Sequence, residues 1–264
     1  DGLDAESVRR AVETAAPDII VHQLSALKGA GNLKKFDQEF AVTNRLRTEG
    51  TEHLLTAAKE QGVKRFVAQS YTSWPNARTG SRVKTEADPL DPTPTGPSRK
   101  THAAIRYIEE VVPAADHLDG LVLRYGTFYG PGTSWDSDGD LTSMVRQRRL
   151  PVVGSGAGVW SFVHIDDAAG ATVAALERGE AGVYNIVDDD PAEVRVWLPE
   201  LARLVDAKPP RTVPTWMARP LIGEHGIALM TQSRGSSNAK ARTELGWQPA
   251  YPSWRDGMAA TLGA

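Results

Sequence analysis

The sequence has 264 residues, 41% hydrophobic and 24% charged, with a formal net charge of −3. That length can bury a full core as one large domain or as a domain with an attached lobe, and so balanced a charge leaves no electrostatic footprint for nucleic acid or an anionic membrane. Cysteine is absent, which excludes disulfides, a thiolate nucleophile and cysteine-based metal sites. No apolar run approaches the ~20 residues that span a bilayer, and the polar start, Asp1 to Glu6, has no signal-peptide pattern. The expectation is a soluble, cytoplasmic protein.

Asp4 is placed to cap a first helix with Val8, Ala11, Val12 and Ala15 on one face, closed by Pro17. Asp18 to His22 is a short apolar run, hence a buried strand. A polar loop through Gly29 and Gly31 leads to a long helical region marked by Phe36, Phe40, Leu54, Leu55 and Ala58 and stopped at Gly62. Lys64 to Ser70 is the next strand. Residues 75–97 are proline-rich and lack periodicity, so they read as a long functional loop. Ser98 is placed to cap a helix with Ala103, Ala104, Ile105, Ile108 and Val112 on its apolar face, and Leu121 to Tyr125 is the strand behind it. Strands alternating with helices imply a parallel sheet. The glycines at 126, 130 and 132 break the chain where open α/β sheets place ligands, at the carboxyl ends of the strands.

The later pattern is looser. A helix is expected over Leu141 to Arg149. Gly154 to Gly158 could suggest a phosphate loop, but Val159 to His164 alternates like a strand, and a phosphate loop must feed a helix. A hairpin turn is expected there. Asp166 is placed to cap a helix to Arg178, Gly182 to Val187 is a strand, and helices are expected at 193–206, 237–245 and 254–262. Trp197, Trp216, Trp247 and Trp254 are expected in the core of a C-terminal lobe.

In order and spacing, Asp18 to His22, Asn44 with Gly50-Thr51 and Leu54-Leu55, Gly62 to Ser70, Leu123-Arg-Tyr with Tyr129-Gly-Pro-Gly132, Phe162 to Ala168, Val183 to Ile186 and Lys240 to Pro249 resemble the extended short-chain dehydrogenase/reductase superfamily, NAD-dependent epimerase/dehydratase group. The resemblance implies an α/β fold: a Rossmann-type doubly wound parallel sheet with a smaller mixed C-terminal substrate lobe. Residues 1–130 and 159–190 would form the dinucleotide-binding domain, and 131–158 with 191–264 the substrate lobe. It implies NAD or NADP as cofactor, with contacts from Leu24, Ser25, Ala26, Asn44, Ser70, Lys100, Tyr125 and Gly126. Substrate contacts fall on Thr127, Tyr129 and Trp160. It also implies a homodimer through helices 36–61 and 98–112, where Ala103, Ala104, Ile108 and Val112 offer more apolar surface than one sheet face needs.

Three departures from the family pattern matter. The family carries a Tyr four residues before a Lys; here Gly96 stands four before Lys100. The Ser/Thr position at the end of the fifth strand falls on Tyr71, with Thr72 beside it. Tyr71, Thr72 and Lys100 are therefore the candidate catalytic set, with Tyr71 supplying the acid/base group or packing under the loop. Second, Trp160 replaces the Arg that pairs with diphosphate in sugar-nucleotide members. A small, fairly apolar hydroxyl or carbonyl substrate is expected in place of a nucleotide sugar. Third, the family's glycine-rich loop lies before the segment that Asp1 aligns to. Strand 18–22 would present a bare edge, so the expectation is a polypeptide extending upstream by ~50–65 residues, enough for the missing strand-helix-strand-helix-strand half.

Two functions stand open: an NAD(P)-dependent oxidoreductase, epimerase or dehydratase, and a protein of the same fold that binds dinucleotide or metabolite without turnover. A hydrolytic triad of Ser70, His164 and Asp166 is disfavoured because no G-x-S-x-G elbow is present. The histidines do not sit at metal-ligand spacing, so no metal site is expected. Arg146, Arg148 and Arg149 read as a solvated helix face.

Overall fold

The computed structural model describes residues 1–27 and 32–263. Its central sheet has four parallel strands, β1 (Ile19–His22), β2 (Arg65–Tyr71), β3 (Asp119–Tyr125) and β4 (Gly182–Ile186), side by side in chain order. Parallel neighbours require crossovers. These carry α2 (Thr51–Gln61), α3 (Arg99–Val111) and α4 (Ile165–Glu177), while α1 (Ala5–Ala15) precedes β1. The strand period of two sorts each strand between two cores. Phe66, Ala68 and Val122 pack with Val8, Val12, Ala57, Ala58, Ile108 and Val112 on one face. Val67, Leu121, Leu123 and Tyr125 pack with Ala168, Ala171 and Ala175 on the other. The sheet is thus doubly wound, as expected, and β1 forms its edge with Val21 41% exposed.

The lobe after β3 has its own core, built on Tyr129, Phe162, Trp197, Leu198, Trp254 and Met258. It carries a helix at Asp140–Arg146, then α5 (Val194–Leu204), α6 (Thr215–Thr231) and a last helix at Trp254–Leu262, with several two-stranded ladders. The loop 75–97 is tied into this lobe, because Val83–Lys84 pairs with Gly235–Ser236.

Local chemistry explains where the elements differ from expectation. Asp4 caps α1 by accepting from Ser7 N at 2.6 Å, and α2 ends on Gly62 in the left-handed region, as its position predicts. Between Phe36 and α2 the chain passes through a wide π turn at Leu46–Gly50. Ser98 makes no capping bond; an aspartate from another segment does that work, as described below. His164 is the cap residue of α4, and Asp166 lies in its first turn. The expected hairpin at 154–158 is a turn whose flanking strands do not pair with each other. Val152–Val153 pairs with Thr212–Val213, and Val159–Trp160 with Ala192–Glu193. Trp216 is 73% exposed rather than core, and Trp247 packs under the central sheet rather than in the lobe. Of the four residues offered as surplus apolar surface, Ala104, Ile108 and Val112 are already buried within the chain; Ala103 alone is exposed. The polar loop at Gly29 and Gly31 lies outside the described residues.

Candidate active site

The carboxyl ends of the strands carry the polar groups. Beyond β1, Leu24, Ser25 and Ala26 form an exposed crest, anchored where Ala26 N donates to Thr43 Oγ1 at 3.1 Å. His22 beneath them is 3% exposed. Its Nε2 lies 3.2 Å from the Leu46 carbonyl oxygen, and burial lowers its pKa to about 4, leaving a neutral structural ring.

Tyr71 and Tyr125 are register partners at the ends of β2 and β3, so their side chains leave the same face. The Tyr71 hydroxyl sits 3.0 Å from Thr127 Oγ1. The Tyr125 hydroxyl sits 2.7 Å from Thr172 Oγ1 and accepts from Gln23 Nε2 at 3.2 Å. Removal from solvent raises both phenols above their ordinary range, with those hydroxyl partners opposing the shift. Both are neutral donors at physiological pH. Tyr125 is buried at 2% exposure, whereas Tyr71 is half-buried. Gly126 follows because a Cβ there would stand 2.7 Å from the Ser161 carbonyl oxygen.

The other face is spent on structure. Ser70 donates to Glu109 Oε1 at 2.7 Å, and Glu109 holds Arg124 in a two-point pair at 2.8 and 2.5 Å. Thr72 is fully buried, 2.5 Å from Ser236 Oγ. Neither hydroxyl is free to meet a substrate.

At the start of α3, a Cβ on Gly96 would meet nothing within 4 Å, so the position of the family's phenol is open space. Lys100 is exposed and lines an outward groove with Asp37, Asn44, Ala103 and Tyr107. Gly96 lines the same groove, and Tyr71 is not among its lining residues. The inward position belongs to Thr101, which is fully buried and accepts from Asn44 Nδ2 at 3.0 Å. Asp37, which sequence patterning missed, accepts from Lys100 N at 2.9 Å and from Thr101 N and Oγ1 at 2.8 Å each.

The candidate substrate residues separate. Thr127 stands beside Tyr71 at the strand ends. Tyr129 is fully buried in the lobe core with its hydroxyl unpartnered. Trp160 donates to the Leu229 carbonyl at 3.1 Å and stacks near Trp197 at 4.8 Å, so it packs the lobe. His164 accepts from Asp166 N at 3.2 Å and lies against Tyr251, the structural role expected of it. Arg146, Arg148 and Arg149 bond to nearby surface groups. No metal-ligand cluster occurs among the described residues, and no helix among them is long and apolar enough to cross a membrane.

Residues 1–187 match the NAD dependent epimerase/dehydratase family. The chain belongs to that family. It is 46% identical over 261 residues to the 3-diazoavenalumate denitrifying reductase of a Streptomyces species, covering 98% of this chain and 84% of that protein. It superposes with a TM-score of 0.75 on the dTDP-glucose 4,6-dehydratase DesIV of Streptomyces venezuelae, solved with NAD and TYD bound, at 25% identity over all of this chain and 77% of that one. The UDP-glucose 4-epimerase of Thermotoga maritima, solved with UDP-glucose, gives the same TM-score at 22% identity, covering 100% of this chain and 82% of that one. That second likeness is one of fold.

The family's cofactor is a nicotinamide dinucleotide, and the described residues fit part of it. Asn44 Oδ1 is buried and unpartnered, an acceptor looking for a donor such as a ribose hydroxyl. The crest Leu24 to Ala26 stands at the carboxyl end of β1, and open α/β sheets bind ligands beyond the carboxyl ends of their strands. Among the described residues no glycine-rich turn leads from a strand into a helix to receive the pyrophosphate.

Proposed function

We propose that the chain works as an NAD(P)-dependent reductase whose substrate does not need the family's tyrosine. The observation that carries this is the open space at Gly96, beside a relative named as a denitrifying reductase that matches nearly the whole chain. Reducing a carbonyl puts a proton on oxygen, and a positioned phenol supplies it. A diazonium carbon makes a different demand. Hydride forms the new C–H bond, the C–N bond pair leaves with dinitrogen, and no oxygen has to be protonated. A nicotinamide held there would supply the hydride.

This chain's own residues then bind and orient. Leu24 to Ala26 and Asn44 are the groups to hold the dinucleotide, and Thr127 fixes the Tyr71 hydroxyl at the strand end, where it donates to a substrate polar atom. Trp160 in place of the family's diphosphate-pairing Arg supports a small aromatic or unsaturated substrate over a nucleotide diphosphate. The test is oxidation of NADH and NADPH in the presence of 4-carboxybenzenediazonium, with dinitrogen release measured alongside. Consumption in step with dinitrogen supports the proposal; a rate equal to the enzyme-free control overturns it.

Gly96 in place of the family's catalytic Tyr also favours a second reading, a protein that binds dinucleotide without turnover. Dinucleotide binding without consumption of any diazonium or carbonyl compound would select it.

A further inference from the structure

The segment 74–98 and α6 enclose a cavity of about 20 Å³ lined by Trp74, Arg78, Thr95, Ser98, His225 and Leu229. One water-sized sphere needs about 10–15 Å³, so the cavity admits a single polar atom of hydroxyl size. His225 is 2% exposed. Its Nδ1 lies 3.3 Å from Thr95 Oγ1, while its Nε2 is buried with no partner. A buried polar atom left unpaired costs about 1–3 kcal/mol, and one that borders a cavity can recover this from an atom that fills it. The ring cannot swing to another partner, because it is held against Phe36 at 4.2 Å and edge-on to Trp74 at 5.0 Å.

Among the described residues that line this inner end, no charge is free. Arg78 is paired with Asp91 at 2.7 Å, and burial lowers the His225 pKa to about 4, so the imidazole is neutral. Outward, a groove of about 610 Å³ shares Arg78, Thr95 and Ala228 with the cavity and carries the exposed Trp216 on its wall. That volume is in the range of about 300–1,000 Å³ typical of small-molecule sites. Arg219 and Glu224, of opposite sign, both line it. Thr95 and Ser98 flank Gly96 in the sequence, while Gly96 itself lines the groove that holds Lys100.

We propose that cavity and groove together bind a planar aromatic compound bearing a ring hydroxyl, with the hydroxyl oxygen against His225 Nε2 and the ring in the groove. Aromatic walls around one uncharged polar atom suit a phenol, and a diphosphate finds no unpaired cation at the inner end. The proposal adds a ligand class on residues apart from Tyr71 and Thr127, and it rests on the reductase reading for what the bound compound is for.

The experiment is calorimetric titration of the chain with phenol and with anisole, without dinucleotide, repeated for His225→Phe. The expected result is about a tenfold preference for phenol, the worth of one buried hydrogen bond, lost in His225→Phe. A ¹⁵N spectrum of the unaltered chain gives a readout independent of any variant's folding: the His225 Nε2 resonance should move on adding phenol. Equal affinity for the two compounds, a preference retained in His225→Phe, binding of neither, or an unmoved Nε2 resonance each overturns the proposal. Because no dinucleotide or turnover is involved, a working reductase whose cleft ignores phenol defeats only this inference.

Discussion

The Asp37 carboxylate caps a helix to which it is not joined. One oxygen accepts from the backbone and hydroxyl of Thr101 at 2.8 Å each, and the other accepts from Lys100 N at 2.9 Å. The first turn of α3 has backbone donors without partners in the helix, and a carboxylate there also opposes the helix dipole. Ser98, the local candidate for the cap, makes no such bond. Asp37→Ala should therefore destabilise the chain by about 1–3 kcal/mol, whereas Ser98→Ala should not unwind α3. Thermal unfolding followed by circular dichroism decides between the two residues.

A second structural centre is Glu109. Its side chain and that of Arg124 are each 6% exposed, and its charge also acts on the 7%-exposed Arg47, opposing the lowering that burial imposes on that guanidinium. Removing one member of a buried pair leaves a desolvated charge and typically costs about 3–5 kcal/mol. Glu109→Gln should cost that much in urea unfolding, since two arginines then share no carboxylate. Adding Arg124→Met should recover part of the loss, giving a coupling of opposite sign in the double-mutant cycle. Additive losses would show that the pair is not coupled.

These two examples mark what the sequence could disclose. The sheet order and both helix layers were legible because apolar spacing is local: Phe66 and Ala68 face one core and Val67 the other. The cap on α3 was not, because its carboxylate lies 63 and 64 positions from the amides it serves. The strand-end placement of Tyr71 was legible from the end of an apolar run, but its Thr127 partner, 56 residues away, was not. The missing phenol at Gly96 was plain from the motif spacing. The inward turn of Thr101 in place of Lys100 was not, since one residue along a helix changes the facing by about 100°. Trp216 shows the opposite error. Tryptophan content suggested core, but nothing in the composition told the exposed one from the buried ones.

Stability should pass through a maximum near pH 6.5. Burial raises the Asp188 pKa to about 8, with the charge of Asp190 adding to the shift and its backbone N–H opposing it. The folded chain thus holds a proton that the unfolded chain releases. This contribution is fully present below the ordinary carboxylate value and is lost as pH rises through about 8. His22 and His225, with pKa lowered to about 4 by burial, contribute stability present above 6.5 and lost as pH falls. Each group changes stability by at most about 1.4 kcal/mol per pH unit. Asp188→Asn should flatten the alkaline limb of Tm against pH and leave the acid limb in place. An alkaline limb that is unaltered in the variant would remove Asp188 as its source.

Tyr71 and Lys100 should behave differently from each other. Tyr71 lies at the strand end with its hydroxyl fixed by Thr127, while Lys100 points into the outward groove. Tyr71→Phe should cut turnover of a ketone by about 10²–10⁴-fold, the usual worth of a positioned acid. It should leave hydride delivery to a diazonium compound within about tenfold, because only a hydrogen bond is lost there. Lys100→Met should alter neither rate appreciably. Equal losses on both substrates after Tyr71→Phe would mean that the phenol acts on a step common to both.

The sharpest variant restores what the chain lacks. Gly96 lies at the first position of a single turn, Gly96–Ser98, just ahead of α3, and a Cβ there meets no atom within 4 Å. Gly96→Tyr should therefore be accommodated and should stabilise the chain by up to about 1 kcal/mol by restricting the unfolded state. Its phenol would stand four residues before Lys100, on the same side of the turn, where positions i and i+4 are neighbours. Combined with Tyr71→Phe, which removes the acid at the strand end, the variant should restore ketone turnover by as much as about 10²-fold and gain nothing on the diazonium compound. Matched initial rates with acetophenone and 4-carboxybenzenediazonium, each with NADPH, make the comparison. A similar gain on both substrates would mean that the reaction had lacked an acid all along, and the case for a substrate that carries its own leaving group would fail.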